Sequence, residues 1–238
     1  MSEGPALPRP RLPLRLGVLV SGQGTNLQAI LDACGGGEVP ARVVVVVSSR
    51  PQAYALQRAR AAGVPALALA PQDFPARRAY DACLAEILAA HGVDLVCLAG
   101  FVRLLGPEFV RRFAGRILNI HPSLLPAFGG PGMYGERVHE AVLRSGVKIS
   151  GCTVHLVDET PDGGPIVLQA AVPVRDDDTV QTLAARVAAQ EHRLYPLAIR
   201  LYALGRLALR GRRVIIQDPG TAVATTTVGT AVQDGGYP

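Results

Sequence analysis

The chain has 238 residues, 49% hydrophobic and 18% charged, with a formal net charge of +5 at pH 7, which is enough to bury a core as one large domain or two small ones. No apolar run approaches the roughly 18 residues of a membrane span, and the Pro- and Arg-rich start lacks the apolar stretch of a secretory signal. The positive charge is scattered over arginines such as Arg58, Arg60, Arg77, Arg78, Arg111 and Arg112, with no basic run interleaved with aromatics and no Trp; this argues against a nucleic-acid partner and fits a small anionic substrate.

In chain order, a strand is predicted over 16–20 and a helix over 26–34. The five valines at 43–47 suit a strand buried on both faces of a parallel sheet. A helix over 52–62 closes at Gly63, a short strand follows over 66–69, and a helix over 77–91 ends at Gly92. The next strand covers 94–99, Pro107 opens a helix to Phe113, and 116–121 is again a strand. The expected architecture is α/β: an open, mostly parallel Rossmann-like sheet with helices on both faces.

Beyond Pro126 the texture changes. The Gly/Pro-rich stretch 128–135 reads as a mobile loop and 136–144 as a helix. Strands over 148–157 and 165–174 flank the Pro161-Asp162-Gly163-Gly164 turn, giving a C-terminal antiparallel extension. The acids before Thr179 are expected to cap a long helix. Periodicity is lost from Gly211. Cys34, Cys83, Cys97 and Cys152 are widely spaced in apolar surroundings, so they read as small hydrophobes, with no metal-ligand spacing and a cytoplasmic home.

Four features carry chemistry. The first strand runs into Ser21-Gly22-Gln23-Gly24-Thr25-Asn26. Glycines between a strand and a helix bring backbone N–H groups to an anion at the helix N-terminus. The loop has neither the Lys and spacing of a P-loop nor the three-glycine dinucleotide pattern, so it fits a single terminal phosphate; an ordinary tight turn is the alternative.

Asn119 and His121 stand two apart at a strand end, sharing a face, and Pro122 stops further pairing there. Strand ends of this kind hold ligands in open α/β sheets. An amide and an imidazole aimed together suit a developing oxyanion, although a lone strand histidine also serves in cores. Asp162 is a turn residue by local chemistry, and acquires a proton-handling role only if its turn folds back beside His121. Glu191 falls near the centre of the apolar stripe Leu183, Val187 and Leu194. A carboxylate there needs either a structural Arg or a bound amine or hydroxyl.

Together these residues resemble the glycinamide ribonucleotide formyltransferases, folate-dependent enzymes of purine synthesis. The likeness lies in the 21–28 loop, Leu98 to Leu105, Asn119 to Pro126, Asp162 to Gln169, Gln190-Glu191-His192 and Tyr195-Pro196. It implies Asn119, His121 and Asp162 as catalytic residues, and Gly24, Thr25 and Asn26 as holders of the substrate phosphate. Glu191 would bind the glycinamide ribonucleotide. Arg77, Val102, Arg103, Leu104, Leu105 and Asn119 would line the site for 10-formyltetrahydrofolate, with backbone from Asp158 to Asp162 meeting its pterin. No metal is implied, and a homodimer is left open. The domain boundaries expected are a flexible extension over 1–14, a formyltransferase domain over 15–210 and a poorly ordered tail over 211–238. The loop 128–135 departs from some relatives, which is expected to alter its closure and not the reaction.

The reaction so implied is acyl transfer. The substrate amine attacks the formyl carbon, Asn119 and protonated His121 stabilise the oxyanion, and Asp162 keeps His121 charged. Three other readings compete. A 10-formyltetrahydrofolate deformylase would use water as acceptor, but its regulatory domain has no room before the first strand. A methionyl-tRNA formyltransferase would need an RNA-binding domain after the last. A non-catalytic nucleotide-binding module would have no use for Asn119, His121 and Asp162 together.

Overall fold

The computed structural model describes residues 7–8 and 11–217. Five strands run parallel: β1 (Leu14–Val20), β2 (Ala41–Ser48), β3 (Ala66–Ala68), β4 (Leu95–Leu98) and β5 (Ile117–His121). β6 (Ile149–Leu156) pairs antiparallel with β5, and β7 (Ile166–Pro173) antiparallel with β6. The sheet order is β3-β2-β1-β4-β5-β6-β7. Among the described residues six α-helices connect or cover these strands: α1 (Thr25–Gly35), α2 (Ala55–Ala61), α3 (Arg77–Ala90), α4 (Pro107–Arg112), α5 (Glu136–Ser145) and α6 (Val180–Ala203). An antiparallel hairpin, β8 (Leu207–Arg210) and β9 (Arg213–Ile216), follows. This is the α/β architecture expected from the alternation of apolar runs and helical patterns.

Strand periodicity divides the core in two. Val46 joins Leu16, Val18 and Val20 in a cluster with Leu27 and Ile30 of α1 and Leu183 and Val187 of α6. Val45 and Val47 point the other way, with Leu19, onto Tyr80, Leu84 and Leu88 of α3 and Phe109 of α4. Leu183 and Val187 are fully buried, each contributing about 1.5–3 kcal/mol by leaving water. Among the described residues no helix is long and apolar enough to cross a membrane.

α6 is built for precise placement. Thr179 is its N-cap, forming a reciprocal capping box with Thr182. Asp178, expected among the caps, instead pairs with Arg186 at 2.7 Å. Deep in the helix, the Tyr195 hydroxyl lies 3.1 Å from the Leu98 carbonyl and 2.9 Å from that of Leu118. α6 is thereby tied to the ends of β4 and β5.

Both expected chain boundaries shift. Leu7 packs against the core and Leu14 is already strand, so the extension expected over 1–14 is partly docked; residues 1–6 and 9–10 lie outside the described ones. The boundary expected at 210 cuts the β8–β9 hairpin, whose return strand begins at Arg213. That strand is only four residues long, too short to show a period. The rest of the expected tail, 218–238, lies outside the described residues.

Candidate active site

The strand order reverses between β1 and β4: β1 leads outward to β2 and β4 to β5. Ligands in open α/β sheets bind beyond the carboxyl ends of strands at such a point. Here the ends of β1, β4 and β5 deliver the 21–26 loop, the 99–105 segment and His121.

The β1 loop turns on Gly24, the N-cap of α1, at φ 72. A Cβ there would lie 2.5 Å from the Ala55 Cβ, so both the backbone sign and the space require glycine. No side chain caps the first turn of α1, leaving its amides and the dipole to an anion. Arg58 of α2 donates from Nε to the Gln23 carbonyl at 2.9 Å and from Nη1 to Gln28 Oε1 at 3.2 Å, with its guanidinium 5.0 Å from the Tyr54 ring centre. Sequence reasoning saw Arg58 only as scattered charge. Its signal would have been a cation on the helix that packs against Gly24.

Glu191 is 8% exposed, and its partner is not an arginine. Asn26 Nδ2 donates to its Oε2 at 2.8 Å. Burial raises the Glu191 pKa, and the Asn26 N–H opposes that rise only in part. Asn26, expected to hold phosphate, therefore also anchors the carboxylate.

The third group assembles around Asp162. Asn119 pairs in register with His155 of β6. The His155 Nδ1 faces the Leu156 carbonyl at 3.0 Å and donates to it, so Nε2 accepts from Asn119 Nδ2, also at 3.0 Å. His155 Nε2 lies 3.7 Å from Asp162 Oδ1, and His121 Nδ1 lies 3.6 Å from Oδ2. Oδ2 also accepts the Gly130 N–H at 2.8 Å, and His121 Nε2 donates to the Phe128 carbonyl at 2.9 Å. The Asp162 turn thus does fold back beside His121. The start of the 128–135 loop, expected to be mobile, is pinned to both residues.

His155 was missed because only the antiparallel register brings it opposite Asn119. The available signal was a lone histidine in an apolar strand preceding the Asp162 turn. The backbone is as specific as the side chains: Asp162 has φ 51, and a Cβ on Gly164 would fall 1.8 Å from the Leu156 carbonyl oxygen.

The electrostatics correct one expectation. Burial lowers the His121 pKa; the nearby Asp162 carboxylate and the Phe128 carbonyl oppose this without reversing it. His121 is therefore not held charged at rest by Asp162. For Asp162, burial acts upward, but the His155 and His121 rings and the Gly130 N–H together bring its pKa below the usual carboxylate value.

The remaining candidates form a second wall. Arg77 opens α3 and Arg103 lies over the Tyr80 ring at 5.6 Å. Asp81, between them in charge, accepts the Gly106 N–H at 2.8 Å and so ties the 102–106 segment to α3. The Val102 N–H donates to Ser21 Oγ at 3.1 Å, Leu104 is 52% exposed, and Leu105 packs in the same cluster as Val157. Asp158, next along, accepts the Thr160 N–H at 2.8 Å. Among the described residues no group of three or more His, Cys, Asp or Glu could hold a metal ion together.

An anion-ready helix start, a buried carboxylate and an Asn-His-His-Asp cluster thus share one sheet edge. Residues 14–199 match the profile of the formyl transferase family. The chain belongs to that family. Among its relatives is the phosphoribosylglycinamide formyltransferase of Haemophilus influenzae, 43% identical over 82% of this chain and 90% of that protein. The trifunctional purine biosynthetic protein adenosine-3 of Bos taurus is 44% identical over 83% of this chain, which spans 19% of the bovine protein. The crystal structure of glycinamide ribonucleotide transformylase 1 from Symbiobacterium toebii superposes with a TM-score of 0.83 at 58% identity, covering 86% of this chain and 94% of that one. The formyl transferase match takes in both halves of the site, from the β1 loop to Glu191.

Proposed function

We propose that the protein transfers the formyl group of 10-formyltetrahydrofolate to the primary amine of 5-phosphoribosylglycinamide, giving the N-formyl product and tetrahydrofolate in purine biosynthesis. The observation that carries this reading is the Asp162 carboxylate facing both His121 and His155 at the end of β5, on the same sheet edge as the Asn26–Glu191 pair.

The substrate phosphate sits on the first-turn amides of α1 at Gly24, Thr25 and Asn26, with Arg58 adding positive charge beside the loop. Glu191, one oxygen held by Asn26, offers the other to the amine or a hydroxyl of the substrate. The folate lies along Arg77, Val102, Arg103, Leu104, Leu105 and Asn119, with its pterin against backbone from Asp158 to Asp162.

The amine attacks the formyl carbon and the carbonyl oxygen gains charge. Asn119 has a second amide hydrogen beyond the one given to His155, and this is available to the oxyanion. Asp162, ionised in the resting site, takes up the proton the amine loses and shares it with His121 Nδ1, 3.6 Å from its Oδ2. An imidazolium–carboxylate pair then stands beside the oxyanion. The same proton passes to N10 as the C–N10 bond breaks and the carbonyl re-forms. Donors fixed in a buried site are each worth about 2.7–4 kcal/mol to such a transition state, and alignment of the two substrates contributes further. No metal is called for. The reaction is assigned to the cytoplasm, by a chain acting alone or as a homodimer.

The test is to incubate the protein with 10-formyltetrahydrofolate, with and without the amine substrate, and follow tetrahydrofolate release. Release that depends on the amine is expected. Equal release without it would assign a hydrolase, and none in either case a nucleotide-binding module.

A further inference from the structure

The turn carrying Asp162 is held from two sides. On one, the Gly130 N–H and the two imidazoles face its carboxylate oxygens. On the other, Arg212, in the β8–β9 turn, donates from Nη2 to the carbonyl of Gly163, the residue after Asp162. Its Nη1 stands 4.0 Å from Asp158 Oδ2, at the far end of the same turn. One guanidinium spans the turn, as its forked donors allow.

Among the described residues little else supports the turn from this direction. Between hairpin and turn lies a cavity of about 460 Å³ lined by Leu125, Pro126, residues 162–166 and residues 212–214, so close packing does not back Asp162 there. Asp162 itself occupies the left-handed backbone region at φ 51, which costs an L-residue about 1–2 kcal/mol and persists only where surroundings impose it. Any relaxation of that residue swings its carboxylate away from rings that stand 3.6 and 3.7 Å off.

We propose that Arg212 is a positioning residue for the transfer reaction: by gripping the Gly163 carbonyl and Asp158 it keeps the Asp162 carboxylate aligned on His121. The inference rests on the role proposed for Asp162 above. Its effect belongs to turnover and not to folding, because the Arg212 side chain is 74% exposed and a solvated contact of this kind contributes little to global stability.

Single-turnover formyl transfer with saturating 10-formyltetrahydrofolate tests it. Arg212→Ala is expected to slow the step about fivefold to tenfold, the order set by a sub-ångström misplacement of a reacting group. The KM for the aminonucleotide and the thermal midpoint should be unchanged. Arg212→Lys, which keeps a donor for Gly163, should recover most of the rate, and Arg213→Ala, the charge control, should match wild type. In an Asp162→Asn background the Arg212→Ala loss should vanish, since Arg212 acts through the missing carboxylate. A wild-type rate in Arg212→Ala, an equal loss in Arg213→Ala, or additive losses in the double variant would each overturn the proposal. A wild-type rate in Asp162→Asn alone would instead remove the role of Asp162, and this inference with it.

Discussion

The Asn26 amide, in the first turn of α1, donates to the Glu191 carboxylate on α6 across 2.8 Å, joining residues 165 apart in the chain. The bond orients a buried carboxylate that has no cationic partner among the described residues. Glu191→Gln should keep the fold and raise the KM for the aminonucleotide about tenfold or more, with a smaller change in kcat, as read by steady-state kinetics. The charged hydrogen bond to the substrate that is lost is worth about 1.5–3 kcal/mol.

The same residue makes a pH prediction. The folded-state pKa of Glu191 is raised. Below the ordinary carboxylate value both folded and unfolded chains carry the proton, and Glu191 costs nothing. As pH rises past that value the unfolded chain ionises first, so the folded state is progressively penalised until the raised value is passed. Glu191→Gln removes the penalty. Thermal midpoints of wild type and variant should coincide near pH 4 and separate at pH 8, with the variant higher.

Asp162→Asn should reduce turnover by roughly 10²–10⁴-fold, the usual range for a positioned proton-transfer group, with the circular dichroism spectrum unchanged. The His121 pKa, already lowered by burial, should fall further once the carboxylate that opposes that effect is gone; imidazole proton shifts report this directly. Asp162 has a depressed pKa, so its stabilisation is present above the ordinary carboxylate pH and lost as pH falls through the folded value. The variant should lack that acid-sensitive part of the unfolding profile.

Arg58→Gln removes the guanidinium bound to the Gln23 carbonyl. A KM for the phosphorylated substrate raised about tenfold, with kcat within about twofold, is expected from the loss of one charge-assisted contact. The salt dependence of kcat/KM should weaken at the same time. An unchanged KM at low ionic strength would exclude Arg58 from the phosphate site.

Glycine positions discriminate space from conformation. Gly164→Ala places a methyl 1.8 Å from the Leu156 carbonyl oxygen, and the clash should cost about 1–3 kcal/mol in urea unfolding and displace the Asp162 turn, lowering activity with it. Gly22→Ala meets nothing within 4 Å and should leave stability within about 0.5 kcal/mol of wild type.

The sheet was legible because its strands are apolar runs bounded by Gly and Pro. Within the 43–47 valines, Val45, Val46 and Val47 alternate between the two cores, while Val44 falls at a register shift and joins the same core as Val45. The meeting of His121 with the Asp162 turn was left open by the residues themselves, since whether the turn folds back is a tertiary fact. His155 was not legible, since its pairing with Asn119 depends on the β5–β6 register. Asn26 as the partner of Glu191 escaped because the two helices meet only after the sheet is complete. Arg58 and Arg212 escaped because they act through backbone carbonyls, and a long cation binding a carbonyl leaves no pattern in sequence. The charge of His121 was misjudged for the same kind of reason: the carboxylate was foreseen, and the burial that outweighs it was not.

The antiparallel pairing of β5 with β6 sets where this chain can tolerate changes of length. Asn119 meets His155 and His121 meets Thr153 across that ladder. Inserting or deleting one residue between Thr153 and His155 would break this register and, by a one-residue slip, turn His155 toward the opposite face of the sheet, stripping Asn119 of its acceptor while leaving every motif intact in the sequence. The 131–135 stretch carries no such parity constraint. A one-residue change of length in this chain is therefore expected to be tolerated in the loop before α5 but not in the stretch of β6 paired with β5, where it would keep the motifs while losing the site.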